Sequence, residues 1–532
     1  MAKLHIILRT AWARRHSRKT LATLLIVALS LHWASTPTAD AQTETCWAMR
    51  FGFEGFEVAT SIQQTPDGGY VLAGHSRNTT GSSEAFLVKL SQNGSVAWDR
   101  VYGDLGYEQI LHVQQTIDAG YLAAGESSKY QYGTLRNPVG DAWVLKLGSD
   151  GAIEWQKTYS SYHNGRARYA QQTADGGYVV VVEDIVETST RDYFLILLKL
   201  RPDGSIMWQR AYACDEPKGP FPSSDLASSF LLCSDGGLLV SGITKTLDKT
   251  HVWLLKLDSD GSTSWRTEYK GYTYMEISSI EQALDGGYVA VGKAGDATEG
   301  LDLWALKVNQ DGAVEWQETL GGPGDDYATS LQRTVDGGYI VAGATASFGV
   351  GVLDAWVVKL GADGVIYWQK AYGGALIDSV EQIRCTTDGG YVFAGRSDVS
   401  VSESDAWVVK VGVNGDIEWG QGSGVSSTST NATAEVASAT YSPAASYSMD
   451  TAILVSDSHA VQQNRTYSSV ILALPVTKQA PLPLAKPNDV QPSKPSPSST
   501  QTDEWVLPPD VLAMLGFGMI ALVVVTMIKY KK

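Results

Sequence analysis

Aromatic and charged side chains suited to ligand recognition gather in a few irregular segments of this chain. They are Tyr130, Tyr132, Arg136, His163, Arg166, Tyr272 and Tyr274, with the acids Asp325 and Asp326. Aromatic faces stack on sugar or peptide groups, and a few directed polar groups fix the orientation of a ligand. We therefore expect these residues to bind a glycan, a peptide or an envelope protein. The alternative is that the tyrosines pack between structural elements.

Signals for catalysis are weaker. The sequence Asp-Ser-Asp-Gly at 258–261 lacks the further acids and the closing Glu of a calcium loop, so turn chemistry explains it. No Ser/His/Asp spacing and no His-rich metal motif stands out. The net charge of −16 argues against nucleic acid, whose phosphates would be repelled. We expect no cofactor, no metal and no catalytic residue, and keep an exported hydrolase or quinone-dependent oxidoreductase as the second hypothesis.

The irregular segments interrupt a motif that returns seven times. Each copy has Asp-Gly-Gly-Tyr or a close variant, then an apolar stretch ending in Lys, then a Gly turn and a Trp. The second glycines are Gly69, Gly120, Gly177, Gly237, Gly287, Gly338 and Gly390. The lysines are Lys89, Lys146, Lys199, Lys256, Lys307, Lys359 and Lys410, each nine residues before a Trp. Self-similarity at a period of about 50 residues is typical of propellers and repeat arrays.

One repeat predicts four β-strands. Tyr327 to Arg333 leads into a glycine turn and returns as Tyr339 to Ala342. Ala355 to Leu360 leads into a second turn and returns as Val365 to Tyr372. β-Branched and aromatic residues favour strands, and Asp-Gly and Gly-Gly supply the positive φ of tight hairpins. We therefore predict an all-β fold of four-stranded antiparallel propeller blades. The hairpin turns should share one face, and the irregular segments the other.

The number of blades depends on Trp47. It precedes Gly69 by 22 residues, the same interval that separates Trp98 from Gly120, so it is predicted to be a fourth strand at the N-terminus. Its partners are expected in a worn copy around residues 451–474. This arithmetic predicts eight blades, the last closed by the N-terminal strand. Seven blades, with Trp47 and residues 430–476 as appendages, is the alternative.

The hairpin from Asp258 to Trp265 resembles the tryptophan-docked hairpin of quinoprotein-type eight-bladed propellers. The longer strings DGGYIVAG, DAWVVKL and WQKAYGG are similar to propeller repeats of bacterial and archaeal surface proteins. The resemblance covers about residues 43–476 and implies a propeller fold. It implies little about activity, because one fold hosts many functions.

The two ends of the chain predict its location. Residues 1–41 combine basic residues, the apolar stretch Leu21 to Leu31 and small residues, as a secretory signal peptide does. Residues 477–504 form a Pro/Ser-rich stalk after the propeller of residues 42–476. Residues 505–532 contain an 18-residue apolar run, 511–528, followed by lysines. We therefore expect a single transmembrane helix, with the propeller outside the cell and a short cytoplasmic tail.

Cysteines and sequons fit an exported chain. Cys214 and Cys233 flank an enlarged link between repeats and are predicted to form a disulfide; Cys46 and Cys385 are a second candidate pair. Four Asn-X-Ser/Thr sequons could accept glycans, or have arisen by chance. They are Asn78, Asn93, Asn431 and Asn464.

Overall fold

A computed structural model describes residues 46–470 apart from several short segments. The omitted segments are 53–54, 78–81, 104–105, 129–139, 161–163, 187–191, 214–223, 246–248, 297–299, 401–402, 418–425, 430–432, 437–439, 444–446, 450–453, 458–460 and 464–467. The predicted signal peptide, stalk and anchor therefore lie outside the described residues. Within the described part of the chain no helix is long and apolar enough to cross a membrane.

Twenty-eight strands build seven four-stranded antiparallel sheets among the described residues. The first strand, β1 (Trp47–Gly52), belongs to the last sheet. Sheet 1 has β2 (Phe56–Gln64), β3 (Tyr70–Arg77), β4 (Ser83–Leu90) and β5 (Val96–Gly103); sheet 2 has β6 (Tyr107–Gln115), β7 (Tyr121–Ser128), β8 (Asp141–Leu147) and β9 (Ile153–Ser160); sheet 3 has β10 (Asn164–Gln172), β11 (Tyr178–Val186), β12 (Asp192–Leu200) and β13 (Ile206–Ala213); sheet 4 has β14 (Ser224–Leu232), β15 (Leu238–Lys245), β16 (Thr250–Leu257) and β17 (Thr263–Lys270); sheet 5 has β18 (Tyr274–Gln282), β19 (Tyr288–Asp296), β20 (Gly300–Val308) and β21 (Val314–Gly321); sheet 6 has β22 (Asp326–Arg333), β23 (Tyr339–Thr345), β24 (Asp354–Leu360) and β25 (Ile366–Gly373); sheet 7 has β26 (Asp378–Cys385), β27 (Tyr391–Ser400), β28 (Glu403–Val411) and β1.

The first strand of each sheet is its inner strand, and neighbouring sheets contact one another around the molecule through these strands; between sheets 3 and 4 the inner strand β14 contacts β11 and β12. The contacts return from sheet 7 to sheet 1. Gln382 of β26 accepts a hydrogen bond from the Ile62 N–H of β2 at 2.6 Å, and Gln64 of β2 accepts one from Thr387 at 2.8 Å. Phe56 also bridges Ser404 across the same junction. The seven sheets therefore close into a ring, as the blades of a β-propeller do.

The sheets pack through their faces. Tryptophans of the third strands are buried between neighbouring sheets, and the largest fully buried side chains include Trp143, Trp253, Trp304, Trp356 and Trp407. Phe393 of sheet 7 contacts Tyr372 of sheet 6 at 5.3 Å between ring centroids. Burial of such aromatic area is the main stabilising contribution available to a fold built of strands alone.

The prediction of eight blades is wrong. β1 pairs antiparallel with β28, placing Trp47 opposite Lys410 as Trp98 lies opposite Lys89 in sheet 1. Trp47 is therefore a fourth strand, as predicted, but it completes the seventh sheet. The reason lies in the chain after Trp419, where Ser423 stands in place of the Tyr or Leu found four residues after the other repeated tryptophans, such as Tyr372. β1 supplies Phe51, which is 2% exposed.

The segment read as the worn eighth copy has a different role. It belongs to seven short strands, here called the belt, which follow one another from residue 426 to residue 470. They are β29 (Ser426–Ser429), β30 (Thr433–Val436), β31 (Thr440–Pro443), β32 (Tyr447–Met449), β33 (Leu454–Asp457), β34 (Val461–Gln463) and β35 (Ser468–Val470). In this order they pair antiparallel with the outer strands β25, β21, β17, β13, β9, β5 and β1. The belt thus gives every outer edge a fifth strand, which covers backbone groups that would otherwise be unpaired.

Candidate functional site

The repeated lysines and aspartates hold each sheet together. Every repeated lysine pairs with the aspartate of the hairpin turn in its own sheet, at 2.8–3.0 Å in all but the Lys307–Asp285 pair. The lysines are nearly buried, and Lys410 is fully so. A Cβ at Gly69 would lie 2.5 Å from the Lys89 ammonium and 2.2 Å from the Leu90 carbonyl, so the second glycine of the motif makes room for this pair.

The repeated tryptophans join each sheet to the next. The Trp155 indole N–H of sheet 2 donates to the Pro202 carbonyl in a turn of sheet 3, at 3.1 Å. Trp47 of sheet 7 donates likewise to Gln92 of sheet 1 at 3.2 Å. A Cβ at Gly94, where φ is +84°, would lie 2.7 Å from the Trp47 ring. The signature residues of the repeat are thus engaged in structure, and function has to be sought where the repeat is broken.

A serine eight residues before the second glycine links the inner strands. Ser61, Ser279 and Ser330 each accept a hydrogen bond from a backbone N–H of the next inner strand, at 3.1–3.2 Å. Gln382 replaces this serine in sheet 7 and performs the same task for Ile62. In sheets 2 and 3 the position holds His112 and Tyr169 instead.

Two residues further along, a glutamine has a similar role. The side-chain carbonyls of Gln63, Gln114 and Gln332 accept backbone N–H groups of the next inner strand at 2.6–2.8 Å. Sheet 7 has Arg384 at this position. Arginine carries donors and no acceptor, so Arg384 cannot make this link.

Three residues that replace the common Ser or the common Gln of the inner strands lie in one cavity. His112, Tyr169 and Arg384 line an axial cavity of about 330 Å³, together with Gln63, Gln114 and Gln332. The remaining lining residues are Ile62, Gln64, Val113 and Cys385. The His112 and Tyr169 rings lie 4.3 Å apart between centroids. The cavity lies between the inner strands of sheets 6, 7, 1, 2 and 3, toward the end where the hairpin turns are.

Burial shifts the pKa values of the side chains that line this axial cavity. Burial, with the positive charge of Arg384 adding to it, lowers the pKa of His112 to about 3, so the imidazole is neutral at physiological pH. Burial raises the pKa of Tyr169 to about 12, so the phenol stays protonated. Burial also lowers the pKa of Arg384 from its usual value, but a guanidinium stays charged in proteins. The site therefore combines one cation with neutral hydrogen-bonding groups.

A second titratable group lies on the same inner strand as Arg384. Glu381 of β26 has an exposed side chain, but the protein packed around it removes part of its hydration and raises the pKa of its carboxyl to about 7. Arg396 opposes the shift, and the carboxylate interacts with Tyr327 of sheet 6. Glu381 thus titrates near neutral pH.

The described residues of the predicted site do not line the axial cavity. Arg166 forms an ion pair with the buried Glu126. Tyr274 donates to Glu276 at 2.7 Å and lies beneath Lys293, and Tyr272 packs on the core. Asp325 accepts the Leu301 N–H, and Asp326 is fully buried and accepts the Gly322 N–H. For Tyr272 and Tyr274 these contacts match the alternative of structural packing, and ligand binding by the described residues stays a prediction. Tyr130, Tyr132, Arg136 and His163 lie outside the described residues.

The described cysteines carry free thiols. Cys46 lies beside the outer strand β1 and Cys385 ends the inner strand β26, so β27 and β28 separate them. Two intervening strands imply roughly 14 Å between them, which is too far for a disulfide. The predicted Cys46–Cys385 pair is therefore not formed in this structure. Cys233 is buried, and its predicted partner Cys214 lies outside the described residues.

Of the four sequons, the structure describes Asn93. It lies in the turn between β4 and β5, where its side-chain oxygen accepts the Ser95 N–H at 3.1 Å. Asn78, Asn431 and Asn464 lie outside the described residues. Glycosylation stays a prediction at all four positions.

Comparison with known proteins finds only distant structural similarity. No protein-family model matches the chain, and no curated protein matches it. Similar solved structures include a protein of unknown function from Dyadobacter fermentans, 12% identical with a TM-score of 0.41 over 68% of this chain and 97% of that one. An ulvan lyase of a polysaccharide lyase family is 9% identical with a TM-score of 0.42 over 69% and 97%. Sqt1 from Chaetomium thermophilum is 11% identical with a TM-score of 0.37 over 66% and 82%. Similarities this low carry no argument about the fold or the activity of this chain.

The axial cavity has a signal in the sequence that interval lengths do not reveal. Counting back eight and six residues from each second glycine finds a common Ser and a common Gln. The polar exceptions in these two columns include His112, Tyr169 and Arg384, the residues that meet in the cavity. The cavity is therefore indicated by which residue stands at a fixed position of each repeat, and not by the lengths of the intervals between repeats.

Proposed function

We propose that the protein is a cell-surface binding module: a seven-bladed β-propeller, tethered by its C-terminal segment, whose ligand binds in the axial cavity. The partner is an extracellular glycan, peptide or envelope protein that presents a small group to this cavity. One observation carries the proposal. Residues that replace the structural Ser and Gln of the repeat are brought into one cavity although they are far apart in sequence.

The size and lining of the cavity support binding of a small polar group. About 330 Å³ lies at the lower end of the range for ligand pockets. The lining is polar, and the Tyr169 and His112 rings offer an apolar face beside it. The irregular segments with Tyr130, Tyr132, Arg136 and His163 stay a predicted second recognition surface at the opposite end of the ring.

The repeat supplies the variants for a test. H112S combined with Y169S introduces the residue that sheets 1, 4, 5 and 6 already carry at this position, so the fold should tolerate it. We expect the full-length chain in detergent to bind a component of a glycan array or of a cell-envelope extract. The double variant should bind that component at least about tenfold more weakly.

The control is L231Q, which introduces the common Gln in sheet 4, away from the axial cavity. It should bind like the unmodified protein. Equal binding by H112S/Y169S would show that the cavity is not the site. If the unmodified protein converts the bound component chemically and H112S/Y169S does not, the exported-enzyme hypothesis would replace the hypothesis of a binding module.

A further inference from the structure

We infer that the axial cavity binds the carboxylate of an acidic sugar, with Arg384 as the carboxylate-binding group. This inference rests on the proposed function of the cavity as a binding site. It names the chemical class of the ligand, and three independent features of the cavity support it.

The first feature is the guanidinium of Arg384. Among the described residues it has one hydrogen-bond partner, the Ile383 carbonyl at 2.8 Å, and no ion pair within 4 Å. The side chain is half-buried and lines the cavity. Because a guanidinium has five N–H donors, several remain for a ligand, and their planar fork matches a carboxylate.

The second feature is the local excess of positive charge. Arg384 is the one charged side chain among the described residues that line the cavity, and the nearby acid Glu281 interacts electrostatically with Arg333 as well as with Arg384. The chain as a whole carries −16. A positive site at the centre of an acidic protein would still attract anionic groups, because the low-dielectric walls of the cavity concentrate the electric field of the guanidinium.

The third feature is the orientation of the glutamine amides. The side-chain oxygens of Gln63, Gln114 and Gln332 are engaged by backbone N–H groups. Their amide N–H groups make no hydrogen bond to described residues, so they are available as donors. Donors therefore predominate in the lining. The many acceptor oxygens of a sugar acid, both carboxylate and hydroxyl, match such a lining, and the cavity volume admits about one sugar residue.

The experiment compares two probes that differ only in charge. D-glucuronate and D-glucuronamide are titrated into the full-length chain in detergent, and binding is measured by calorimetry. We expect glucuronate to bind at least about tenfold more tightly than glucuronamide. R384Q, which introduces the glutamine common at this position, should remove the difference, whereas L231Q should retain it. A free-acid dipeptide and inorganic phosphate, titrated in parallel, test whether the sugar hydroxyls matter and should both bind more weakly than glucuronate.

The outcomes separate this inference from the proposed function. Equal binding of the two probes, unchanged discrimination in R384Q, or tighter binding of the dipeptide or of inorganic phosphate overturns the acidic sugar. Absence of glucuronate binding also overturns it. In all these cases the cavity remains the binding site if H112S/Y169S still loses the envelope or array component. If that variant loses nothing, the proposed function fails as well.

Discussion

A disulfide between β1 and β28 would test how the ring closes. Ala48 lies directly opposite Val409, and opposed residues of antiparallel strands are about 4.5–5.5 Å apart between Cα atoms, within the range of a disulfide. A48C with V409C should therefore cross-link on oxidation. In an eight-bladed ring β1 would pair with residues near 470 instead, and the two positions would be remote from each other.

The stabilisation can be estimated from the closed loop. The cross-link spans residues 48–409, about 360 residues, and the chain-entropy relation gives about 6 kcal/mol as an upper value. Engineered disulfides usually deliver about 2–4 kcal/mol, so we expect an increase in that range. The assay is guanidinium unfolding of the oxidised and reduced full-length chain in detergent. The native thiols are first removed by substituting Cys46, Cys214, Cys233 and Cys385.

The control places the second cysteine one residue away. Val408 pairs with Met49 and projects from the opposite face of the sheet from Val409, so A48C with V408C should stay reduced. Free thiols in A48C/V409C after oxidation, or equal cross-linking in both variants, would refute the pairing of β1 with β28.

Three further predictions concern stability. In E381Q the melting temperature should vary less with pH than in the unmodified chain. The pKa of Glu381 is raised to about 7 from 4.5, so the stability that its protonated carboxyl contributes is complete below pH 4.5 and is lost as the pH rises to about 7. The loss should be less than about 1 kcal/mol because the carboxyl is solvent-exposed, and parallel melting profiles of the two proteins would contradict the prediction. Y372F should lower the unfolding free energy by about 1–1.5 kcal/mol, because the buried Tyr372 hydroxyl donates to the Gly415 carbonyl at 2.7 Å, while Y391F, whose hydroxyl has no such partner among described residues, should change it little in urea titrations. D336A should cost about 1–2 kcal/mol by leaving the buried Lys359 without its carboxylate, and adding K359M should recover part of this cost in a double-mutant cycle; an additive double variant would show that the pair contributes nothing.

The regular parts of the fold can be predicted from the sequence. The glycine turns, the four strands of each repeat and the role of Trp47 as a fourth strand follow from spacing alone. Spacing cannot say which third strand Trp47 meets, because the seventh repeat and a worn eighth copy fit the same interval. The decision depends on Ser423, because every other fourth strand buries a large apolar residue four positions after its Trp.

The spacing of the repeats does not reveal the candidate site, for a related reason. Long intervals direct attention to loops such as the one containing Tyr130, but they say nothing about side chains that keep the spacing and change the chemistry. Arg384 lies at a regular position and alters no interval. Only the ring places it next to Tyr169, which precedes it by more than 200 residues.

The belt has a mechanical consequence. Its last strand, β35, pairs with β1, so the C-terminal end of the described chain leaves the ring beside its N-terminal end. If the C-terminal segment is anchored, a pull on the ring would load β35 first and then β34 to β29 in turn, three or four backbone pairs at a time. Such serial peeling would release roughly 150 Å of chain while β1 to β28 stay folded. The belt would then act as an extensible, refastening link that limits the force reaching a bound ligand.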